Sequence, residues 1–262
     1  MRDYISFSEM SLYKTCSMKH KYVYVEEAEK IGSIHTAFGS AIHEACELAL
    51  KENKDPMEKL EVFQEVFNKE VEQLRKQNVE LFDSEVLEFA SQADKILPHV
   101  LPAINSYFPG WELIEAEKEL YEEIPDCSRK FKGFVDLIIK TTDGMYHVMD
   151  YKTCSWGWDE KKKSDTMKNY QLALYKQFVS QSMNIPLDNI NVYFILLKRT
   201  ATKNIVEIVP RVCGKTKVNN AVDMLRDTVE KIEIGIHMKN FNSCTMGSYK
   251  CEYYNRCYGN GK

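Results

Sequence analysis

Apolar residues recur at helical spacing through the first 110 residues, and this periodicity predicts three amphipathic helices. The first helix is expected over about 35–52, the second begins at the Asp55-Pro56 pair, and the third covers about 84–108. Because proline interrupts helical hydrogen bonding, the third should bend at Pro98 or Pro102. The apolar stripe of the first helix consists of Phe38, Ala41, Ile42, Ala45, Leu48 and Ala49.

Beyond residue 110 the pattern changes to short apolar segments that alternate with polar positions or turn residues. Two of these segments flank Thr-Thr-Asp-Gly, which is typical of a β-hairpin. The predicted order is strand 111–123, strand 131–140, strand 145–152, helix 165–181, strand 191–198, strand 204–210 and helix 215–238. Helices, strands and helices in this order favour an α/β (α+β) fold with a mixed central sheet flanked by helices.

The chain shows neither an internal repeat nor a long linker, so a single domain over 1–262 is predicted. Residues 1–30 and 241–262 have less regular patterns than the rest, and each contains cysteine. The segment 241–262 is too irregular and too rich in cysteine to be expected to fold without a metal.

Composition narrows the functional classes. Of the 262 residues, 44% are hydrophobic and 28% charged, as in ordinary globular proteins, and the net charge is −4. An acidic total disfavours a passive nucleic-acid coat but is compatible with an enzyme that gathers carboxylates around a metal. The sequence contains neither an apolar run of about 20 residues nor a secretory signal, so a cytoplasmic location and no membrane partner are expected.

Two carboxylates and one ammonium converge in the predicted hairpin. Asp136 lies in one arm and Asp150 in the other, roughly opposite each other, while Lys152 shares a strand face with Asp150. Close carboxylates repel unless a cation or proton lies between them, and Mg²⁺ favours few carboxylates plus substrate oxygens. Lys152 could then orient the attacking hydroxide or neutralise charge on a phosphate. The alternative is a surface ion pair between Asp150 and Lys152.

Further polar residues fall in the neighbouring elements. His43 lies inside the first helix, where it is either functional or a satisfied structural histidine. Glu119 precedes the hairpin and is either another site carboxylate or part of a solvated strand. Gln171 and Tyr175 are four residues apart and share a helix face, which ordinary amphipathic packing also explains.

Taken in order, four short motifs resemble the RecB-type exonuclease branch of the PD-(D/E)xK nuclease superfamily. They are G-x-x-x-H from Gly39 to His43, G-F-V-D from Gly133 to Asp136, D-Y-K-T from Asp150 to Thr153, and Q-x-x-x-Y from Gln171 to Tyr175. The resemblance covers about residues 5–257 and implies a restriction-endonuclease-like core.

The resemblance also implies roles. Asp136, Asp150, the Tyr151 carbonyl and His43 would bind Mg²⁺ or Mn²⁺, and Lys152 would be the catalytic lysine. Gln171 and Tyr175 would support the site or contact DNA, with Glu119 as a further member. The implied activity is that of a deoxyribonuclease, an exonuclease acting on single-stranded DNA or DNA ends in recombination, repair or replication. It would work in a bacterial or phage-infected cell, alone or beside a helicase or recombination protein.

Four cysteines extend the resemblance. Cys16 follows an S-x-S segment as in the iron–sulfur members, which include AddB-type subunits and CRISPR-associated relatives. There, one N-terminal and three C-terminal cysteines hold a [4Fe–4S] cluster, which would here involve Cys16, Cys244, Cys251 and Cys257. Ser248 stands where the first C-terminal cysteine is usual. Four thiolates also suit Zn²⁺, and unconnected reduced thiols are the simpler alternative.

Two other functional classes remain open from sequence. One is a non-catalytic DNA-binding or assembly subunit with a nuclease-like fold, which the intact Asp136, Asp150 and Lys152 set disfavours. The other is a zinc-stabilised structural protein in which the D-x-K motif is accidental. Cleavage of DNA with Mg²⁺ or Mn²⁺ separates both from the nuclease.

Overall fold

The computed structural model of the chain describes residues 2–246 and 249–259. The predicted cluster-binding segment 241–262 therefore falls partly outside the described residues, and so does Ser248.

Between residues 34 and 233 the longer strands and helices follow the sequence pattern closely, whereas the short elements before and after this range were not predicted. The strands are β1 (Tyr4–Ile5), β2 (Glu112–Glu123), β3 (Lys130–Lys140), β4 (Tyr146–Cys154), β5 (Ile190–Lys198), β6 (Val206–Arg211), β7 (Thr245–Met246) and β8 (Tyr249–Lys250). The helices are α1 (Phe7–Thr15), α2 (Ser17–His20), α3 (Ile34–Lys51), α4 (Leu60–Lys76), α5 (Asp83–Tyr107), α6 (Glu160–Lys163), α7 (Thr166–Met183), α8 (Lys215–Glu233) and α9 (Tyr254–Tyr258). The short 3₁₀ turns are Pro56–Lys59, Leu187–Asn189 and Phe241–Ser243, and a π-helical turn covers Lys21–Val25.

The predicted α/β class with a mixed sheet flanked by helices is confirmed. β3 and β4 are antiparallel, β4 and β5 are parallel, and β5 and β6 are antiparallel. β2 pairs with β3 as well. The sheet is therefore mixed, and its central strand β4 carries the D-Y-K-T motif.

Two helices differ locally from the prediction, one at its end and the other at its start. Helix α8 ends at Glu233, five residues before the predicted end, because Gly235 adopts a left-handed φ of +75°. The amide of Ile236 then donates to the Lys231 carbonyl at 2.9 Å, which closes the helix. The second predicted helix opens as a 3₁₀ turn, with the expected capping box between Asp55 and Glu58.

The chain divides into two compact units. The larger comprises 32–120 and 134–218, and the smaller comprises 1–31, 121–133 and 219–262. Nothing in this division tests the single-domain prediction, which stays a prediction.

In the larger unit, one face of the sheet packs against α3, α4 and α5. Phe38, Phe63 and Phe67 form an aromatic group between these helices, with the rings of Phe63 and Phe67 stacked at 5.5 Å. Met149 and Tyr151 of β4 join the same core. Asp150, between them, instead accepts a hydrogen bond from α7. Strand alternation thus separates the structural side chains of β4 from its acidic one.

In the smaller unit, a buried network of charged side chains joins the N-terminal helices to residue 129. Nε2 of His20 lies 3.0 Å from a carboxylate oxygen of Glu9, to which it can donate. The guanidinium of Arg129 lies 3.8 Å from Glu9 and 3.5 Å from Glu233. Because Glu9 and Arg129 are both buried, the carboxylate and the guanidinium depend on each other for charge compensation.

Candidate active site

The hairpin brings Asp136 and Asp150 together as its length predicts. Leu137 pairs with Met149, so one step further along the ladder sets residue 136 beside residue 150. The carboxylate of Asp136 accepts a 2.6 Å hydrogen bond from the Tyr151 amide, which fixes its orientation. Both carboxylates therefore belong to one constellation, held by backbone rather than by flexible loops.

Helix α7 holds the second carboxylate. The Gln171 amide donates to Asp150 Oδ1 at 2.9 Å and to the Tyr175 hydroxyl at 3.2 Å. The predicted shared face of Gln171 and Tyr175 is confirmed, and it lies against the sheet rather than solvent. Asp150 is thus locked on one side and has only its Oδ2 edge for other partners.

Lys152 occupies that second edge. Its ammonium lies 2.7 Å from Asp150 Oδ2, and its side chain is 31% exposed while that of Asp150 is 3% exposed. Burial lowers the pKa of Lys152, but the charges of Asp150 and Asp136 outweigh it and raise the pKa. The lysine therefore stays cationic with access to solvent.

The surroundings of the two aspartates shift their pKa values in opposite directions. Burial raises the pKa of Asp150 to about 6, with the neighbouring Asp136 charge adding to the rise against the opposing Lys152. Burial also raises the pKa of Asp136, but His43 and Lys152 outweigh it and hold that pKa below its usual value. Asp150 is thus easily protonated, whereas Asp136 stays ionised, as expected of two close carboxyl groups.

His43 of α3 completes the predicted set. Its Nδ1 lies 3.6 Å from Asp136 Oδ1, and its ring makes an edge contact with Tyr151. Burial lowers the pKa of His43, but Asp136 outweighs burial and raises it. The structure therefore brings together His43, Asp136, Asp150, Lys152, Gln171 and Tyr175.

A cavity of about 500 Å³ opens beside His43 and Asp136 of this set. Its lining comprises Ser40, His43, Glu44, Glu47, Leu48, Glu117, Asp136 and Tyr151. Glu119 does not appear in this lining, and Glu117 does. In a regular strand, residues 117 and 119 would point to the same face of the sheet. Glu117, however, adopts a left-handed φ of +52°, which breaks the alternation of side chains between the two faces.

Glu47 and Glu117 are additions that the sequence analysis missed. Glu47 is one helical turn after His43, so the i, i+4 spacing was a usable signal. The strand distortion at Glu117 carries no such signal. A hydrogen bond between the two carboxyl groups, together with burial, raises the pKa of Glu117 to about 7.

The donor set fits a hard divalent cation. Asp150 Oδ2 is buried and accepts no hydrogen bond of good geometry, although the Lys152 ammonium is close. Asp136 Oδ1 lies 3.6 Å from His43 Nδ1, beyond a normal hydrogen bond. Across the described ranges, 2–246 and 249–259, no three or more His, Cys, Asp and Glu side chains form a ready metal-binding group. Mg²⁺ does not need one, since it binds through one or two carboxylates and takes its other ligands from water and phosphate.

Comparison with known proteins decides the family. The family model of the PD-(D/E)XK nuclease superfamily matches residues 4–258. The chain belongs to the PD-(D/E)XK nuclease superfamily. No curated protein matches it. Among solved structures, it is similar to a Eubacterium rectale protein provisionally named an exonuclease, with 15% identity, a TM-score of 0.60, and coverage of 92% of this chain and 86% of that one. A second, SSO0001, shares 13% identity with a TM-score of 0.42 over 92% of this chain and 81% of that one.

This PD-(D/E)XK nuclease also buries the four cysteines of the predicted cluster. Cys244, Cys251 and Cys257 pack with Tyr22 and Tyr253 in a small core of the smaller unit. Burial and the neighbouring thiols of Cys251, Cys16 and Cys257 raise the pKa of Cys244. All eight cysteines are free thiols. The other three thiols are close enough to Cys244 to influence its pKa, but among the described residues the four cysteines do not form a ready metal-binding group.

The Glu47–Glu117 pair predicts a pH dependence of stability in this nuclease without metal. Because the pKa of Glu117 rises in the folded state from 4.5 to about 7, the folded chain holds a proton that the unfolded chain releases. Stability should therefore fall as pH rises across that interval. We expect Glu47→Gln, whose amide can donate to Glu117, to flatten this slope by less than about 1 kcal/mol, since Glu117 is exposed and screened.

The measurement is urea unfolding in chelator at several pH values between about 4.5 and 7. Glu44→Gln serves as the control, because Glu44 lines the same cavity. An unchanged slope in Glu47→Gln would show that the two carboxyl groups do not share a proton.

Proposed function

We propose that the chain is a metal-dependent deoxyribonuclease that hydrolyses phosphodiester bonds at the His43, Asp136, Asp150 and Lys152 constellation. The observation that supports this most strongly is the meeting of the buried Asp150, the partly buried Asp136 and the solvent-accessible Lys152 ammonium, in a chain of the nuclease superfamily. Asp136 also lines a cavity. A non-catalytic nuclease-like subunit would have no need to keep the buried Asp150 next to a second carboxylate, an arrangement that costs folding free energy.

Each side chain has a separate task in this proposal. Asp136, Asp150 and the Tyr151 carbonyl, with His43, would hold Mg²⁺ or Mn²⁺. A bound cation of this kind polarises a phosphoryl group and lowers the pKa of water. Gln171, itself hydrogen bonded to Tyr175, fixes Asp150 Oδ1, so that Oδ2 faces the Lys152 ammonium. Lys152 supplies positive charge beside that oxygen, where it can orient the attacking oxygen or stabilise phosphate charge.

Glu119 was predicted as a further member, and no finding tests that role. Glu117 lines the same cavity as Asp136 and His43, which makes it the better placed carboxylate of β2. We therefore propose Glu117, paired with Glu47, as the carboxylate of this strand that faces the site.

For the substrate we propose DNA with free ends or single strands, cut as an exonuclease in recombination, repair or replication, in a bacterial or phage-infected cytoplasm. The motif resemblance to RecB-type exonucleases supports this, and so does the provisional exonuclease name of the E. rectale neighbour. A helicase or recombination protein would be the natural partner. Within the described part of the chain, every helix is too short or too polar to cross a bilayer.

A digestion time course tests the activity, the substrate and the end dependence together. Single- and double-stranded DNA labelled at one end would be incubated with Mg²⁺, with Mn²⁺ or with chelator. We expect metal-dependent shortening from an end, and faster turnover of single strands. Binding without cleavage under every metal condition would favour the non-catalytic alternative. Cleavage of closed circles would replace the exonuclease with an endonuclease.

We also propose that Cys16, Cys244, Cys251 and Cys257 bind a [4Fe–4S] cluster, with Zn²⁺ as the alternative. Their burial near one another in the smaller unit supports the proposal. All four thiols belong to the two sequence segments, 1–30 and 241–262, that were predicted to form the cluster-binding subregion. Such a group would covalently tie segments more than 200 residues apart in sequence.

Removal of one of these thiols predicts a visible change. Purified under anaerobic conditions, the protein should be brown with bound iron and sulfide, and Cys257→Ala should lose the colour because three thiolates hold the cluster poorly. Cys213→Ala is the control, since Cys213 is a buried thiol of the larger unit. Colourless wild-type protein that contains zinc would support the Zn²⁺ alternative, and protein with neither metal would leave four structural thiols.

A further inference from the structure

Trp156 is far more exposed than tryptophan usually is. Its side chain is 74% exposed, although Trp158, two residues later, is buried against Phe194. Tryptophan carries a large apolar surface, and folded proteins normally cover most of it. This indole of the larger unit, in the loop that leaves the site-bearing strand β4, is available to a binding partner.

Hydrogen bonds to Ser155 hold the loop in place just before Trp156. The Ser155 carbonyl accepts hydrogen bonds from the Thr200 amide at 3.1 Å and the Thr200 hydroxyl at 2.9 Å. The Arg199 guanidinium donates to the Ser155 hydroxyl and to Gln92. Arg199 is itself buried against the Phe89 ring. The indole is therefore displayed from a fixed backbone rather than from a loose one.

The residue that follows allows the turn. Gly157 adopts a φ of +123°, and a Cβ there would lie 3.3 Å from the Lys198 side chain. Only glycine takes this backbone conformation without strain. The chain consequently reverses so that Trp158 enters the core while Trp156 remains outside.

Trp156 also follows the site lysine closely in sequence. It follows Lys152 by four residues, so their Cα atoms are at most about 14 Å apart. A stacked strand advances about 3.4 Å per nucleotide. The indole can thus reach a base within a few nucleotides of a phosphate held at Lys152. The exposed side chains of Lys161 and Lys162 follow on the same connection.

We propose that Trp156 is a stacking platform for a base of the single strand being cut, a role that rests on the proposed nuclease function. Aromatic rings that stack on bases, with lysines near the backbone phosphates, are the usual means of binding single strands without sequence preference. In a duplex the base faces are covered by their neighbours, so the platform favours single-stranded or frayed DNA. It makes Trp156 a substrate-positioning residue, selective for strandedness and not for sequence.

The first test is binding in chelator, which is independent of cleavage. With an oligothymidylate of about 20 nucleotides, we expect Trp156→Ala to bind about tenfold more weakly and Trp156→Phe to bind nearly as well as wild type, since one stacked base contributes 1–3 kcal/mol. Blunt duplex of the same length should bind all three equally. Because Trp156 is exposed, the melting temperature should be unchanged.

Intrinsic fluorescence supplies a direct readout. The chain has three tryptophans, and we expect the oligothymidylate to quench emission in wild type and in Trp111→Phe but much less in Trp156→Phe. Equal quenching in Trp156→Phe, or unweakened single-strand binding by Trp156→Ala, would overturn the proposal. Equal weakening for single strand and duplex would overturn the strandedness claim and make Trp156 a general contact.

Failure of this proposal is separable from failure of the nuclease function. Stacking without any metal-dependent cleavage would retain the platform and remove the enzyme. Cleavage that is as fast in Trp156→Ala as in wild type, with single-strand binding unchanged, would retain the enzyme and leave Trp156 as a contact for a protein partner.

Discussion

Replacement of Lys152 by methionine is expected to lower the single-turnover rate of DNA cleavage by about 10²–10³-fold, the usual effect of removing a preorganised charge from a transition state. Methionine keeps the length of the side chain but removes the ammonium that lies 2.7 Å from Asp150 Oδ2. The measurement is the rate with enzyme in excess over end-labelled DNA.

The same substitution also acts on Asp150, and the conditions must separate the two effects. Without the lysine the pKa of Asp150, already raised to about 6, should rise further, so the carboxyl group would be protonated and would bind a cation less well. The assay should therefore be run near pH 8 with saturating Mn²⁺. Lys140→Met, at the end of β3, is the matched control and should cleave normally. Turnover by Lys152→Met within threefold of wild type would remove Lys152 from the mechanism.

Replacement of Arg129 by methionine is expected to produce the largest loss of stability, about 3–5 kcal/mol, as when one partner leaves a buried ion network. Glu9 is buried and lies near Arg129, Arg2 and His20. Arg129 is buried and Arg2 is exposed, so the substitution removes the cation that is least screened by solvent. Glu233 loses the same partner. The midpoint of urea unfolding, followed at several wavelengths, measures the change.

The control is an ion pair of the same unit that faces solvent. Arg226 contacts Asp126 and Asp223, both exposed, and Arg226→Met should cost less than about 1 kcal/mol. A similar, small effect of both substitutions would show that Arg129 packs as an apolar stem and that its charge matters little. If the charges of Glu9 and Arg129 are coupled, adding Glu9→Gln to Arg129→Met should restore part of the lost free energy of unfolding.

The sequence predicts those parts of the site that depend on local chemistry. The turn at 141–144 fixes the hairpin, with the Thr141 amide donating to the Met145 carbonyl and Gly144 at a φ of +84°. That turn sets the register and hence the meeting of Asp136 with Asp150. The spacing of Gln171 and Tyr175 similarly predicts one shared helix face.

Features that depend on irregular backbone or on distant contacts could not be predicted. The left-handed φ of Glu117 places that residue, rather than Glu119, at the cavity. The sequence has no glycine or other turn residue at this position that would predict such a backbone conformation. The network of Glu9, His20 and Arg129 joins residues separated by more than 100 positions in the chain. Helices α1 and α2 were missed as well. The apolar moment of α1 is weak because it buries the polar Glu9 beside Met10 and Tyr13.

The proposed chemistry requires Asp136 and Asp150 to share one divalent cation beside Lys152. Crystals grown with Mn²⁺ would test this through the anomalous scattering of the metal. We expect an anomalous peak about 2.1 Å from a carboxylate oxygen of each aspartate, and its loss in Asp136→Asn. A Mn²⁺ peak elsewhere in an enzyme that still cleaves DNA, with these carboxylates free of metal, would contradict it.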